Sequence, residues 1–439
     1  MSPIRLLGAA LLCLGHGGAS PALAAPPGVA LPQPLHLEQA LQRALTDNLT
    51  IRQSRQQVGI RRGQRAHAAR IVPTNPELSL SAAQRDGSNE TTTDLGIRLS
   101  QTLFTGGKRG LGMDASEARL GSAQAQLAFL QTTIAARTRK AFLDLLVARE
   151  AVTTAERVLA ISRDFREYAR GRLDAGEATR LEVNTARIGV GRAEAALAQA
   201  RTRADRARVR LLELMAADPA RDLKVAGEIR GRSLELPDRR ALLGQALTRR
   251  DDLAAAAREV AAARKELTLS ERQLIPNLTV FGFYKREEGA DVAGGGVSLP
   301  IPALHRYGGE QKAAAARLQQ AQLEEDALRI TVRREVAQAL AEYRGARQRV
   351  NALKGAVLDS AEQNLALTQD ALRAGEVGVP DVTIARDNLL SVRRDYLDAL
   401  GALVTAATDL EQATGGLIAL GPRPKGAAGS DTETSDHDT

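Results

Sequence analysis

The sequence predicts a mainly α-helical protein with a small β part, in which long antiparallel helical hairpins and two β-hairpins form an internal tandem duplication. Three observations support this fold class: the composition, a repeat of about 200 residues, and two segments with strand periodicity that follow prolines. The 439 residues include no tryptophan and only 3% aromatic residues. This composition is typical of long helices that pack through small side chains.

The repeat is clearest in two segments, 176–186 and 375–385, which begin Gly176-Glu177 and Gly375-Glu376. Both read G-E-x-x-x-x-acid-V-x-x-A, at an offset of 199 residues, and an offset of 198 pairs Ala148-Arg149 with Ala346-Arg347. This period is too long for a solenoid unit and indicates that a whole domain was duplicated.

Each half begins with a helical stretch, at 37–70 and 237–274, which a proline ends. Short segments with apolar residues at every second position follow, and each returns after a turn-forming cluster, so each half contains one β-hairpin, at about 76–103 and 277–301. One face of these strands carries the apolar positions Leu78, Leu80, Ala82, Leu95, Ile97, Leu99, Leu278, Val280, Val297 and Leu299.

Two long runs without proline follow the hairpins, at 108–173 and 309–373, with apolar residues spaced by three, four and seven. We predict that each run is one helix, and ~65 residues at ~1.5 Å each would span ~100 Å. The helices should reverse at Gly176 and Gly375 and return to about Met215 and Thr414.

The N-terminal 25 residues predict a secretory signal, because Arg5 precedes an apolar run and an A-x-A cleavage site. The alternatives are an uncleaved anchor, for which the run is short, or lipidation of Cys13, the only cysteine. The predicted organisation is a signal peptide 1–25, a first repeat 26–217 with its tip turn at about 172–177, a linker 218–236, a second repeat 237–416 with its tip turn at about 373–380, and a disordered acidic tail 417–439.

The formal charge of +8 is spread along the helices among acidic residues, which favours solvated helix faces over a nucleic-acid-binding patch. The sequence contains no H-x-x-x-H or H-E-x-x-H spacing. We therefore expect no catalytic site, no metal site, no cofactor and no nucleic-acid partner.

Four strands with an apolar, lipid-facing surface cannot close a membrane barrel alone, since such barrels begin at about eight strands and lipid tolerates no open sheet edge. A cyclic oligomer follows from the strand count. The alternative is that the hairpins cap a soluble helical bundle.

Several segments together resemble the TolC-like outer-membrane efflux factors, over about residues 35–416. They are the paired Gly-Glu turns, Asn75-Pro76-Glu77-Leu78 at the first strand, the segment 99–109 that ends the first hairpin, and 297–309 in the second half. The last two segments are most similar to the branch that serves cobalt-zinc-cadmium and copper efflux.

The resemblance implies a homotrimer in the outer membrane of a Gram-negative bacterium, in contact with its lipid. Twelve shared strands would form the barrel, and the helices would continue it as an α-barrel tunnel into the periplasm. The partners would be a periplasmic adaptor (membrane fusion) protein and an inner-membrane pump of the resistance-nodulation-division (RND) type, which supplies the energy.

By the same resemblance, the adaptor docks at the two tips, where the candidate residues are Arg172, Gly176, Glu177, Arg373, Gly375 and Glu376. The two glycines also have a purely structural explanation, because a helix reversal favours a residue that tolerates positive φ.

Asp381 matches an acidic position just past the second tip of family members, where three copies would form a cation-attracting ring at the pore. Some relatives carry a second acid three residues later, but here Ile384 replaces it. Glu182 is the equivalent in the first repeat and Glu376 is a neighbour. For all three, the alternative is an ordinary first-turn acid that the helix dipole favours.

Three functions remain open: an efflux duct for heavy-metal ions, the same duct serving drugs or a secretion machine, and a soluble periplasmic coiled-coil scaffold. Membrane insertion of the hairpins separates the third from the other two.

Overall fold

The computed structural model describes residues 33–86, 91–227, 236, 238–287 and 290–415. The predicted signal peptide, the acidic tail, the two hairpin turns and part of the linker lie outside the described residues.

The two repeats contain the same kinds of element in the same order. The first consists of α1 (Leu37–Asp47), α2 (Leu49–Ala68), β1 (Glu77–Asp86), β2 (Thr91–Leu103), α3 (Lys108–Asp174) and α4 (Arg180–Leu214). The second consists of α5 (Arg239–Arg249), α6 (Asp251–Glu271), a 3-10 turn (Arg272–Leu274), β3 (Leu278–Glu287), β4 (Ala290–Ser298), α7 (Gly308–Leu353), α8 (Ala356–Arg373) and α9 (Val379–Thr414).

The leading helical stretch of each repeat is divided in two, at Asn48 and at Arg250, where the sequence predicts continuous helix. Both residues have non-helical backbone angles, with ψ of 125° and 123°. The Asn48 side chain then caps α2 by accepting hydrogen bonds from the backbone N–H groups of Thr50 and Ile51. A polar side chain that competes for backbone donors therefore ends one helix and begins the next.

The long helix of the second repeat is also divided, so the prediction of one helix over 309–373 was wrong. Gly355 has φ 75° and ψ −117°, a backbone conformation that residues with side chains rarely adopt. In the first repeat, the offset of 199 residues places Glu156 at this position, and α3 continues through it for 67 residues in all.

The four strands form one antiparallel sheet in the order β1-β2-β3-β4, so β1 and β4 are its open edges. The register pairs Leu78 with Leu99, and Val280 with Val297. Because side chains alternate across a strand, the predicted apolar positions within the strands all fall on one face of the sheet. This face is exposed in the single chain; Leu80, for example, is 74% exposed.

Each repeat has its own apolar core where its long helices pack against its short leading helices. In the first repeat, Phe142 and Leu211 are buried among residues of α1, α3 and α4. In the second, Tyr343 and Leu410 are buried among residues of α5, α7 and α9. Each core lies at the base of its helical hairpin, and the tip of each hairpin lies outside it.

Candidate functional site at the helix tips

The first tip joins α3 to α4 through a glycine in the left-handed conformation. Gly176 has φ 78°, its N–H donates to the Leu173 carbonyl at 3.0 Å, and the Glu177 N–H donates to the Arg172 carbonyl at 2.8 Å. These two bonds are the Schellman motif, which satisfies carbonyl groups at the helix end.

Side chains then tie the first tip together. Thr179 and Glu182 form a capping box at the start of α4, each accepting from the other's backbone N–H at 3.3 Å. The Arg172 guanidinium donates to the Glu177 carbonyl at 2.9 Å and lies 3.9 Å from the carboxylates of Glu177 and Glu182. The structure thus brings the candidate tip residues Arg172 and Glu177 and the candidate pore residue Glu182 into one cluster.

The second tip, between α8 and α9, has the same backbone turn. Gly375 has φ 76°, its N–H donates to the Leu372 carbonyl at 3.1 Å, and the Glu376 N–H donates to the Ala371 carbonyl at 2.9 Å. The glycine in each predicted turn therefore occupies the position that requires positive φ.

The side chains of the second tip are less connected. Asp381 accepts from the Gly378 N–H at 2.9 Å, but Gly378 has no side chain with which to complete a capping box. Arg373 pairs at 2.9 Å with Asp370 of its own helix. Glu376 is exposed, and its carboxylate has no partner within the described part of the chain.

The candidate pore acids Glu182 and Asp381 occupy equivalent positions, each the third residue of its helix. Both cap a helix N-terminus through the contacts given above, and among the described residues no contact joins the two carboxylates. Asp381 is exposed in the single chain. Its second oxygen therefore remains open to the surroundings of the tip.

The two hairpins lie side by side through contacts of α3 and α4 with α9. Near the tips, Phe165 of α3 packs against a cluster formed by Leu365, Leu372 and Val382. Further along, Arg386 of α9 is buried and donates to Ser162 Oγ of α3 at 2.8 Å. A cavity of about 500 Å³ between α3, α4 and α9 adjoins this contact, and its charged lining residues are Arg192, Arg203, Arg386, Asp387, Arg394 and Asp398.

At the base of the hairpins, sequence reasoning missed a buried ion pair between α3 and α9. Arg139 Nη1 donates to Glu411 Oε2, and the two side chains are 12% and 5% exposed. Burial raises the pKa of Glu411 to about 7, although the Arg139 charge and its hydrogen bond oppose this shift. The signal in the sequence was that Glu411 lies four residues after Ala407 and three before Thr414, which are both buried, and so occupies an apolar stripe of α9.

The face of the sheet opposite the apolar one is the more polar of the two: its side chains are mostly polar on the first hairpin, and polar and apolar in equal number on the second. Its described side chains on the first hairpin are Glu77, Ser79, Ser81, Ala83, Arg85, Asp94, Arg98, Ser100 and Thr102, and on the second Thr279, Phe281, Phe283, Lys285, Glu287, Ala290, Val292 and Ser298. One apolar and one polar face on an open sheet are what a membrane barrel requires, with lipid outside and water inside.

Within the described ranges, no cluster of three or more histidine, cysteine or acidic side chains is positioned to hold a metal ion. In the same part of the chain, no helix combines the length and apolar character needed to cross a membrane.

Two long helical hairpins that carry an open sheet, apolar on one face and polar on the other, define the protomer of a membrane channel with a long helical extension. The chain belongs to the outer membrane efflux protein family, whose model matches residues 40–217 and 242–416. The protein is thus an outer-membrane efflux channel of the TolC-like type, which extends into the periplasm of a Gram-negative bacterium. Members of this family are channels rather than enzymes.

Relatives and solved structures agree with this assignment. The chain is 31% identical over 388 residues to the cobalt-zinc-cadmium resistance protein CzcC of Cupriavidus metallidurans, a match covering 87% of this chain and 90% of the relative. Its fold is similar to that of CusC, with 19% identity, a TM-score of 0.75, and 87% and 92% of the two chains covered. It is also similar to the Campylobacter jejuni channel CmeC, with 14% identity, a TM-score of 0.77, and coverage of 86% and 85%.

Proposed function

We propose that this chain forms a homotrimeric, passive exit duct that exports heavy-metal cations, driven by an inner-membrane RND-type pump through a periplasmic adaptor. The proposal of metal cations as cargo rests on the similarity of this chain, along nearly its whole length, to a cobalt-zinc-cadmium resistance protein. The proposal of a trimer rests on the two open sheet edges of this chain, which belongs to a family of outer-membrane channels.

The trimer is supported first by the sheet. β1 and β4 each lack a partner on one side, and pairing β4 of one protomer with β1 of the next would close twelve strands without leaving unpaired backbone in lipid. A detergent extract should therefore contain a trimer by native mass measurement. A monomer with native helical content would contradict the proposal.

The duplication supports the same assembly in the helical region. Since α4 corresponds to α9 and α7 to α3, the contact of α3 with α9 inside one protomer would be repeated by α7 and α4 of neighbouring protomers. Exposed apolar side chains lie on both helices that this symmetry would bring together, Ile188 on α4 and Leu323 and Ile330 on α7. Single exposed residues are common, but their presence on these two helices fits a covered interface.

The cargo can be tested by deleting the gene in its host and measuring growth against graded zinc, cobalt, cadmium, nickel, copper and silver, beside dyes, detergents and antibiotics. Sensitivity confined to a metal group supports metal export. Sensitivity only to organic compounds would overturn the cargo and favour the alternative, a duct of a multidrug or type I secretion system.

We infer that the two tips bind the adaptor and that Asp381 lines the pore entrance in the trimer. Asp381→Asn separates pore charge from helix capping, because the amide oxygen can still accept from the Gly378 N–H. We expect reduced cation preference in planar bilayers, with the matched change Glu182→Gln as a comparison in the first tip. Unchanged conductance and selectivity in Asp381→Asn would leave Asp381 only its capping role.

A further inference from the structure

Two cations of the sheet's polar face, Arg98 and Lys285, have no acidic side chain directly across from them on the neighbouring strands. Arg98 is flanked by Ser79 on β1 and Phe283 on β3. Lys285 is flanked by Gly96 on β2 and Val292 on β4. Neither cation forms an ion pair within the described part of the chain.

The acids of this face lie toward its ends. Asp94, the nearest along the strand, is held at 3.0 Å by Arg85. Glu287 is the next side chain after Lys285 on this face of β3, and Glu77 opens β1 at the end next to the helices. Arg98 in the middle of β2 and Lys285 nearer the outer turn are thus the cations of this face that form no ion pair among the described residues, although the whole face is close to neutral.

Aromatic rings hold the two cations in place. The Arg98 guanidinium lies over the Phe281 ring at 3.9 Å from its centroid, and the Lys285 ammonium lies 5.6 Å from the centroid of Phe283. The rings in turn cover Gly296 and Gly294 of β4, where an added Cβ would come within 3.0 Å of Phe281 and 2.6 Å of Phe283. Glycines in β4 thus make room for the rings that support the cations.

In a closed barrel this face would line the lumen. With ~4.8 Å between strands and a tilt of ~40°, twelve strands enclose a backbone cylinder about 24 Å across. Side chains of arginine length leave an opening comparable with the Debye length of ~8 Å at physiological ionic strength. The potential of the wall charges would therefore extend across most of the opening.

We propose that Arg98 and Lys285 of the three protomers form a band of six positive charges in the barrel lumen that favours anions and opposes the entry of metal cations from outside. This proposal rests on the trimeric duct proposed above. Rings of Arg and Lys select anions in other pores by the same electrostatics. Cations driven outward by a pump would pass the band, whereas free cations in the medium would meet a barrier to return.

The test is the chloride-to-potassium permeability ratio of the full-length protein in planar bilayers under a KCl gradient. In Arg98→Gln/Lys285→Gln, we expect this ratio to fall at least about twofold at ~0.1 M salt, where charges act over about 10 Å. The control Arg286→Gln removes one cation from the neighbouring position, on the lipid-facing side of the same strand, and should leave the ratio unchanged. Arg98→Lys, which keeps the charge, should also leave it unchanged.

If the double variant forms conducting trimers with the wild-type chloride-to-potassium permeability ratio, the proposed band of positive charge is overturned. A wild-type ratio that does not rise between 1 M and 0.1 M salt would overturn it as well, and this measurement needs no variant. A wild-type protein that forms neither trimers nor channels would instead overturn the proposed duct, and the band with it.

Discussion

In the first repeat, α3 reaches the tip as one helix of 67 residues, whereas the second repeat divides the same path between α7, with 46 residues, and α8, with 18. At the dividing position, Glu156 of the first repeat pairs at 3.0 Å with Arg201 of α4, and Gly355 stands in its place in the second. The second repeat lacks this cross-helix ion pair, and it also holds one extra residue in the stretch that contains the break, because the offset rises from 198 at Arg149 to 199 at Gly176. The second hairpin therefore has a helix break that the first lacks.

The same divergence occurs at the base, where the repeats meet. The offsets of 198 and 199 residues place Ala337 opposite Arg139, and Leu212 opposite Glu411, in the other copy. The buried ion pair between α3 and α9 therefore has apolar counterparts in the duplicated positions. In the proposed trimer, the contact of α3 with α9 inside a protomer would be ionic at this level, and the contact of α7 with α4 between protomers would be apolar.

The largest expected effect comes from breaking the buried pair. Arg139→Ala leaves Glu411 buried without its cation and should lower the free energy of unfolding by about 3–5 kcal/mol. Far-UV circular dichroism of detergent-solubilised trimers against denaturant measures the loss. The double variant Arg139→Ala/Glu411→Leu copies the other repeat and should recover most of it; a double variant as unstable as the single one would contradict the comparison.

The second effect is a pH dependence at the same place. The folded pKa of Glu411, about 7, lies above the ordinary glutamate value of 4.5, so the folded state binds more protons between these values. Stability from this group is present below pH 4.5 and is lost as pH rises to 7, by on the order of 3 kcal/mol.

The measurement is the unfolding midpoint of wild type relative to Glu411→Gln from pH 4.5 to 8. Wild type should lose stability relative to the variant as pH rises. Glu362→Gln, at an exposed pair with Arg393, serves as the control and should show a much smaller slope. Parallel curves for wild type and Glu411→Gln would contradict the prediction.

The third effect distinguishes the interrupted helix of the second repeat from the continuous helix of the first. Gly355→Ala places a side chain in a disfavoured backbone conformation and should destabilise the protein by about 1–3 kcal/mol. Gly345→Ala, inside α7 with open space around the position, should instead stabilise it by about 0.5–1 kcal/mol. If both substitutions stabilise, the break at Gly355 is not imposed by its backbone.

The smallest effects concern the helix caps at the two tips, which differ between α4 and α9. Thr179→Ala removes the side-chain cap of α4 and should cost about 1 kcal/mol. Gly378→Ser supplies α9 with the cap that it lacks and should add a few tenths of a kcal/mol. Thermal midpoints measure both, and a loss on Gly378→Ser would mean that the tip cannot accommodate the added side chain.

The sequence by itself determined the features that depend on near neighbours. The glycines at 176 and 375 lie where the predicted reversals require positive φ, and the strand alternation places Leu78 and Leu99 on the same face. The fold class and the outer-membrane channel family follow from such signals and are confirmed. Local backbone preferences and side-chain periodicity carry this information within a few residues.

Only the tertiary structure decided which distant residues meet. Glu411 and Arg139 are 272 residues apart, and nothing near either one specifies the other. Arg98 lies over Phe281 because the register of β2 with β3 brings them together. The break at Gly355 was visible as a glycine, but a helix tolerates one, and its conformation depends on how α7 and α8 pack. Long-range packing and strand register set these contacts, and the charges that govern the base and the lumen depend on them.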